Sequence, residues 1–328
     1  MILNQRPRRN RKTEALRNMI AETDFRPQQM TLPLFIVDGH DLRHSIVTMP
    51  GIYRQSPDQA LKEIQLAYDL GIRSVALFPA IEEKLKDSYG NESLNANGLV
   101  PRTIKMIKDR FPEIIVITDI ALDPFSSDGH DGIVRDGEIL NDETVEIFQK
   151  MSIVHAQAGA DIVAPSDMMD GRIGAIRKAL DQEGFIHTGI LSYSAKYASG
   201  FYGPFRDALA SAPKFGDKKT YQMDYRNRRE AIREVLLDVE EGADIVMVKP
   251  AWSYLDVIQT VKESVHIPVA AYNVSGEYAM VKAAALQGML DETKAMVEML
   301  YSMRRAGADI IFTYFALPMA KYLRDHRS

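Results

Sequence analysis

The stretch Gly-Ala-Asp-Ile-Val-Met-Val-Lys-Pro, residues 242–250, decides the fold. Its apolar run is strand-length, and a lysine closes it where a buried strand would meet the mouth of a barrel. The opening Gly-Ala-Asp-Ile recurs at 159–162 and 307–310. In each copy the glycine ends a helix through a left-handed cap, the alanine permits close approach, and the following run enters a sheet. The triplet marks a recurring helix-to-strand joint. Outward from it, short β-branched or apolar runs alternate with amphipathic stretches of helical length. Eight runs are found, at 32–37, 74–78, 114–119, 161–164, 188–191, 244–248, 267–271 and 309–313. Helices are expected between them, for example at 57–70 (entered through Ser56), 101–110, 142–158 and 291–305. Repeated βα units of this number predict an α/β fold, the (β/α)8 or TIM barrel. An open doubly wound sheet would call for a Gly-x-Gly-x-x-Gly turn after an early strand, and the chain contains none.

Composition permits one large domain of this kind: 328 residues, 46% hydrophobic, formal net charge -5. Nothing in that balance points to nucleic acid. With no cysteine, disulfides and thiolate zinc sites are both excluded. The apolar runs fall far short of the ~20 residues that span a bilayer, so no membrane partner is expected. The first residues are basic (Arg6, Arg8, Arg9, Arg11 and Lys12, broken by Pro7) and no apolar core follows them. A secretory signal is therefore not expected, and the cytoplasm is the expected compartment. The same basic start reads equally as a solvated tail or as an arm around a neighbouring subunit. Residues 1–24 are set apart as such an arm, ahead of a catalytic barrel over 25–328.

Lys249 carries the chemistry. An ammonium buried at a strand end is costly, so burial and a nearby cation lower its pKa and leave an amine that attacks carbonyls. Lys196, in Gly-Ile-Leu-Ser-Tyr-Ser-Ala-Lys-Tyr-Ala-Ser (189–199), follows another short strand and supplies that cation. Two lysines in one pocket imply chemistry on two carbonyl groups. Further polar groups fall at successive strand ends: Asp119 on strand three, Ser166 and Asp167 after four, Ser275 after seven and Tyr314 on eight. Asp119 is suited to proton relay and equally to a buried salt bridge. The insertions at 79–100 and 192–226 follow strands at the face where such barrels hold their sites. The second, rich in Gly, Ser, Tyr and cations, has the character of a lid, with Arg206, Lys218 and Lys219 suited to a carboxylate. Asp123, Asp128, His130 and Asp131 form an acidic loop whose oxygens suit Mg²⁺ better than zinc, although a plain polar loop explains the spacing as well.

Several long motifs stand in order along the chain: 119–132 (Asp-Ile-Ala-Leu-Asp-Pro-Phe-Ser-Ser-Asp-Gly-His-Asp-Gly), 164–172 (Ala-Pro-Ser-Asp-Met-Met-Asp-Gly-Arg), 201–208, 221–224, 247–258 and 272–278 (Tyr-Asn-Val-Ser-Gly-Glu-Tyr). Together they resemble the 5-aminolevulinate dehydratase, or porphobilinogen synthase, family from about residue 25 onward. The resemblance implies a lyase that condenses two 5-aminolevulinate molecules to porphobilinogen for tetrapyrrole (haem, chlorophyll) biosynthesis. It implies Schiff bases from Lys249 to the first substrate and from Lys196 to the second. Ser275 and Tyr314 would hold the first carboxylate, Arg206 and Lys218 the second. Zinc-dependent members carry three cysteines where this chain has Ala121, Asp123 and Asp131, so Zn²⁺ is not expected. The chain resembles instead the magnesium-responsive branch, in which a helix glutamate matched by Glu234 binds an allosteric Mg²⁺ at a subunit interface. A homo-octamer built through N-terminal arms is implied too. The rival reading, a class I Schiff-base aldolase, needs one lysine and leaves Lys196 and the cationic lid unexplained. A catalytically silent binding barrel leaves the whole convergent set unexplained.

Overall fold

The computed structural model describes residues 4–209, 211, 213, 214 and 216–326. Eight parallel strands close on themselves: β1 (Met30–Ile36), β2 (Ser74–Pro79), β3 (Ile115–Ile120), β4 (Ile162–Pro165), β5 (Gly189–Lys196), β6 (Ile245–Lys249), β7 (Val269–Asn273) and β8 (Ile310–Thr313). Closure comes from β1 beside β8, with Met30 opposite Ile311 and Thr31 opposite Phe312. Outside them run α1 (Pro57–Asp69), α2 (Leu99–Arg110), α3 (Asn141–Ala158), α4 (Arg172–Gln182), α5 (Arg229–Glu240), α6 (Leu255–Ser264), α7 (Ser275–Leu286), α8 (Glu292–Arg305) and α9 (Ala316–Asp325). A short lid helix, Gly203–Leu209, lies between β5 and α5. The (β/α)8 barrel is thus the observed fold. Two short strands, Arg43–Ser45 and Tyr53–Gln55, extend its edge after β1. Among the described residues no helix is long and apolar enough to cross a membrane.

The Gly-Ala-Asp joint does more than end helices. Gly159, Gly242 and Gly307 have φ of 104°, 102° and 114°, as the left-handed cap requires. The aspartate then reaches to the strand before its own. Asp161 Oδ2 accepts from Val116 N at 2.8 Å, Asp244 Oδ2 from Ile190 N at 2.8 Å, and Asp309 Oδ2 from Val269 N at 2.9 Å. Each bond pins one strand to its neighbour at the end away from the lysines. A slip of one residue would turn every side chain of the strand to the other face, so these bonds select the register on which the site depends.

The fifth strand differs from expectation. It continues through Lys196, five residues beyond the predicted apolar run, and the lid insertion starts only after it. Buried Ser192 and Ser194 interrupt the apolar pattern. Ser192 is satisfied from behind: its hydroxyl donates to Asp238 Oδ2 at 2.6 Å and accepts from Arg172 Nη2 at 3.1 Å, within a buried Arg172–Asp238 ion pair. Polar residues with such partners cost a strand little. At the N-terminus, a 3-10 turn (Pro7–Arg11) and a helix (Glu14–Met19) bury none of their residues, and Met19 is 75% exposed.

Candidate active site

Lys249 ends β6 and Lys196 ends β5, and the parallel pairing sets the two directly opposite each other. Each is only 6% exposed. Lys249 Nζ makes no hydrogen bond or ion pair among the described residues. It is surrounded by rings instead, with centroids at 4.7 Å (Tyr272), 5.0 Å (Tyr193), 5.0 Å (Phe205) and 5.2 Å (Tyr202). Burial, and then the charge of Lys196, hold its ammonium down to a pKa of about 7, against the pull of Asp119, Asp123 and Asp131. The amine is therefore poised between free and protonated forms at neutral pH. Two rings come from strands and two, Tyr202 and Phe205, from the lid, so the lid completes the enclosure of Lys249.

Lys196 sits in a different setting, donating to the carbonyl of Ser166 and, at 3.2 Å, to Asp131 Oδ2. Asp131 also takes Lys218 Nζ at 2.6 Å, and Lys218 reaches Asp123 Oδ2 at 3.3 Å. Burial would raise the Asp131 carboxyl, but the two ammonium groups outweigh it and hold it at about 2. Asp119, near the end of β3, is pushed the other way. Burial and the negative charge of Asp123 raise it to about 7, opposed by Lys249 and Lys196, and its Oδ1 has no hydrogen-bond partner among the described residues. Lys249 and Asp119 thus exchange protons over the same pH range, which suits a nucleophilic amine beside a proton relay.

Lys249, Lys196, Asp119, Arg206 and Lys218 line one cavity together with Asp123, Asp131, Ser166, Phe78, Tyr202, Phe205 and Gln222. Its free space is about 30 Å³, so the lid is packed down on the lysines. Ser275 and Tyr314 do not line it. Ser275 Oγ accepts from Phe205 N at 3.0 Å, and Tyr314 OH shares a 3.1 Å hydrogen bond with Tyr272 OH, one residue beyond β8 rather than on it. Phe205 also packs on Phe35, which stacks on Tyr314. The 79–100 insertion stays outside the cavity, its Lys84 paired with Glu82 and its Asn91 with Asp87. The acidic loop separates as well: Asp123 and Asp131 face the lysines, whereas His130 Nδ1 meets Tyr221 OH at 3.2 Å. Among the described residues no three His, Asp or Glu side chains converge as a metal site.

Glu234 lies elsewhere, on α5, half-buried beside a second cavity of about 560 Å³ that Asp170, Glu230 and Lys219 also line. Burial raises its carboxyl above the usual range; Arg172 opposes this, while Asp238, Asp170 and Glu230 add to it.

Fold and site together define a barrel enzyme with two buried lysines side by side in its mouth. Residues 4–322 match the family model described as Delta-aminolevulinic acid dehydratase, and the chain belongs to that family. It is 56% identical over 323 residues to the chloroplastic delta-aminolevulinic acid dehydratase of Glycine max, covering 98% of this chain and 78% of that protein. It is 53% identical over 320 residues to the enzyme of Bradyrhizobium diazoefficiens, covering 97% and 91%. A solved delta-aminolevulinic acid dehydratase (porphobilinogen synthase) of Toxoplasma gondii ME49, in complex with the reaction product porphobilinogen, superposes with a TM-score of 0.97 at 50% identity, covering 98% of this chain and 92% of that one.

Proposed function

We infer that this chain is a porphobilinogen synthase, a lyase that joins two 5-aminolevulinate molecules into porphobilinogen with loss of two waters, in tetrapyrrole biosynthesis. The observation that carries the reading is the pairing of Lys249 with Lys196 on adjacent strands. A class I aldolase needs only one Schiff-base lysine. Each lysine amine adds to a keto group, and each carbonyl oxygen leaves as water when the iminium forms. The iminium withdraws electrons from its neighbouring carbon, and ring closure returns both amines to the enzyme, so the overall loss is two waters. Lys249, with the depressed pKa, takes the first substrate, and Lys196, paired with Asp131, takes the second. Asp119 receives and returns protons.

Arg206 and Lys218 hold the carboxylate of the second substrate, which requires Lys218 to be shared with or released from Asp123 and Asp131. Ser275 and Tyr314 hold the carboxylate of the first. Phe205 now holds Ser275 through its backbone N and packs on Phe35, on which Tyr314 stacks, so the lid must swing for the substrate to enter and then close to exclude water. Borohydride reduction with 5-aminolevulinate, followed by peptide mapping, tests the assignment. Label on Lys249 is expected, and label confined to residues other than Lys249 and Lys196 would falsify it.

The metal in this reading is Mg²⁺ at Glu234, with no requirement for Zn²⁺. Mg²⁺ takes one or two carboxylates and keeps several waters, which suits a half-buried glutamate with acidic neighbours beside a roomy cavity. There it would supply charge to an interface and no step of the chemistry. The assembly is a homo-octamer in which residues 1–24 embrace a neighbour; the unburied N-terminal helix with exposed Met19 and Ile20 favours that over a solvated tail. The plant relative is named chloroplastic and the bacterial one is not. A cytoplasmic placement is proposed here, and fractionation of the source cells checks it.

A further inference from the structure

Glu277 is fully buried in the first turn of α7 and lines no cavity with the lysines. Both of its oxygens accept from other chain segments. Oε2 takes Val274 N and Asn273 Nδ2, each at 3.0 Å, at the exit of β7. Oε1 takes Trp252 N at 2.8 Å and Ser253 N at 3.4 Å, in the loop that leaves β6 just after Lys249. Asn273 carries the tie further: its Oδ1 accepts from Thr313 Oγ1 at 2.8 Å, and Thr313 Oγ1 accepts from Phe315 N at 3.1 Å, on either side of Tyr314. Two residues before Glu277, Ser275 Oγ receives the lid through Phe205 N.

Capping α7 needs only the oxygen on Val274 N. The second oxygen serves the loop behind Lys249. An ionised carboxylate accepts at both oxygens and carries no proton, so no other common side chain of this length can take these four donors together. Burial pushes the Glu277 carboxyl up to about 7, while the four donors oppose it and favour the ionised form that accepts at both oxygens. Lys249, meanwhile, has no hydrogen bond on Nζ among the described residues. Its amine is located by its backbone and the surrounding rings alone.

We propose that Glu277 is a positioning residue for the reaction: it ties the exits of β6, β7 and β8 into one rim and so fixes the Lys249 amine relative to the docked lid. This rests on the reading of Lys249 as the Schiff-base lysine. Glu277→Gln keeps the volume but turns an amide N–H₂ toward backbone N–H groups. The rate of borohydride-trapped adduct at Lys249, per folded protein, is expected to fall on the order of tenfold, because small misplacements of a reacting group are costly. The kcat falls with it and KM changes less. Leu300→Ala, a fully buried core truncation in α8, supplies the comparison: it lowers Tm and leaves both rates per folded molecule unchanged. If little Glu277→Gln protein folds, Asn273→Ser removes one donor and the Thr313 link but spares the backbone ties, and a smaller fall of the same sign is expected. Trapping and kcat in Glu277→Gln equal to those of the unsubstituted enzyme, or reduced only as far as Tm-matched Leu300→Ala reduces them, overturn the proposal. No adduct at Lys249 in the unsubstituted enzyme overturns both this proposal and the Schiff-base assignment on which it rests.

Discussion

An amine attacks a carbonyl only while it is unprotonated, so with Lys249 as the proposed Schiff-base lysine its pKa sets the pH at which the first step runs. Its ordinary value of 10.5 is brought to about 7, first by burial and then by Lys196. The nucleophilic form therefore accumulates as pH rises through 7. The trapping rate with 5-aminolevulinate should fall about tenfold per pH unit below that point and level off above it, which stopped-time borohydride reduction measures. Lys196→Gln removes the neighbouring charge, so this limb should move to higher pH; an unmoved limb would show that burial alone sets it. Lys249→Ala should abolish turnover with a small change in Tm. Asp131 works in the opposite direction. Its folded pKa of about 2 lies below the ordinary aspartate value of 3.8, so the stabilisation it brings is complete above the higher value and is lost as pH falls through the lower one. Asp131→Asn leaves two buried ammonium groups short of a counter-ion and should cost about 3 kcal/mol at neutral pH, read from urea unfolding.

At the level of the element, register is what brings the two lysines together. Asp244 pins β6 to β5 and Asp309 pins β8 to β7, through one backbone bond each. Loss of such a bond is worth about 1 kcal/mol, so Asp244→Ala should lose about that much stability, and Asp309→Ala, which also gives up Lys262, somewhat more. Activity should rank the other way, because only the β5–β6 pair carries both lysines. Equal kcat per folded molecule in the two variants would show that the pin has no bearing on the site. These elements also show what a sequence can disclose. Runs such as 244–248 are legible because apolar residues flanked by a glycine cap have few other places to go, and Lys249 is legible because a charge at the end of such a run needs a reason. The end of β5 was hidden by Ser192, whose burial depends on Arg172 and Asp238 far along the chain, and by Ser194, which donates to the carbonyl of Ser192. The rings around Lys249 were hidden too. Tyr193, Tyr202 and Phe205 fall within the 192–226 insertion and Tyr272 opens the 272–278 motif, and none is marked as a wall of Lys249 until the barrel closes. Glu277 gave no signal beyond a carboxylate in an early helical turn, since its partners lie in another loop.

For the whole molecule the question is what a single barrel leaves unfinished. The N-terminal helix buries nothing of its own, and Glu234 is half-buried among Asp170, Glu230 and Asp238 with Arg172 opposing them. Carboxylates crowded in this way repel, and a divalent cation that keeps part of its water shell relieves the repulsion with few protein ligands. If the site is completed only when a neighbour's arm packs against the barrel, Mg²⁺ binds the assembled form more tightly and shifts the population toward it, since a ligand moves an equilibrium only through that difference. Raising Mg²⁺ should then increase both the sedimentation coefficient and the activity over the same concentration range, while a zinc-selective chelator changes neither. Glu234→Ala should flatten both curves and leave the trapping of 5-aminolevulinate on Lys249 intact, because Glu234 does not line the cavity of the lysines. Removing residues 1–24 should lower the mass in the same way even at high Mg²⁺, since the arm and not the metal would then be the missing piece. A Glu234→Ala protein with unaltered mass and unaltered Mg²⁺ response would place the metal elsewhere, and strict dependence of the metal-free protein on Zn²⁺ would remove Mg²⁺ from the account.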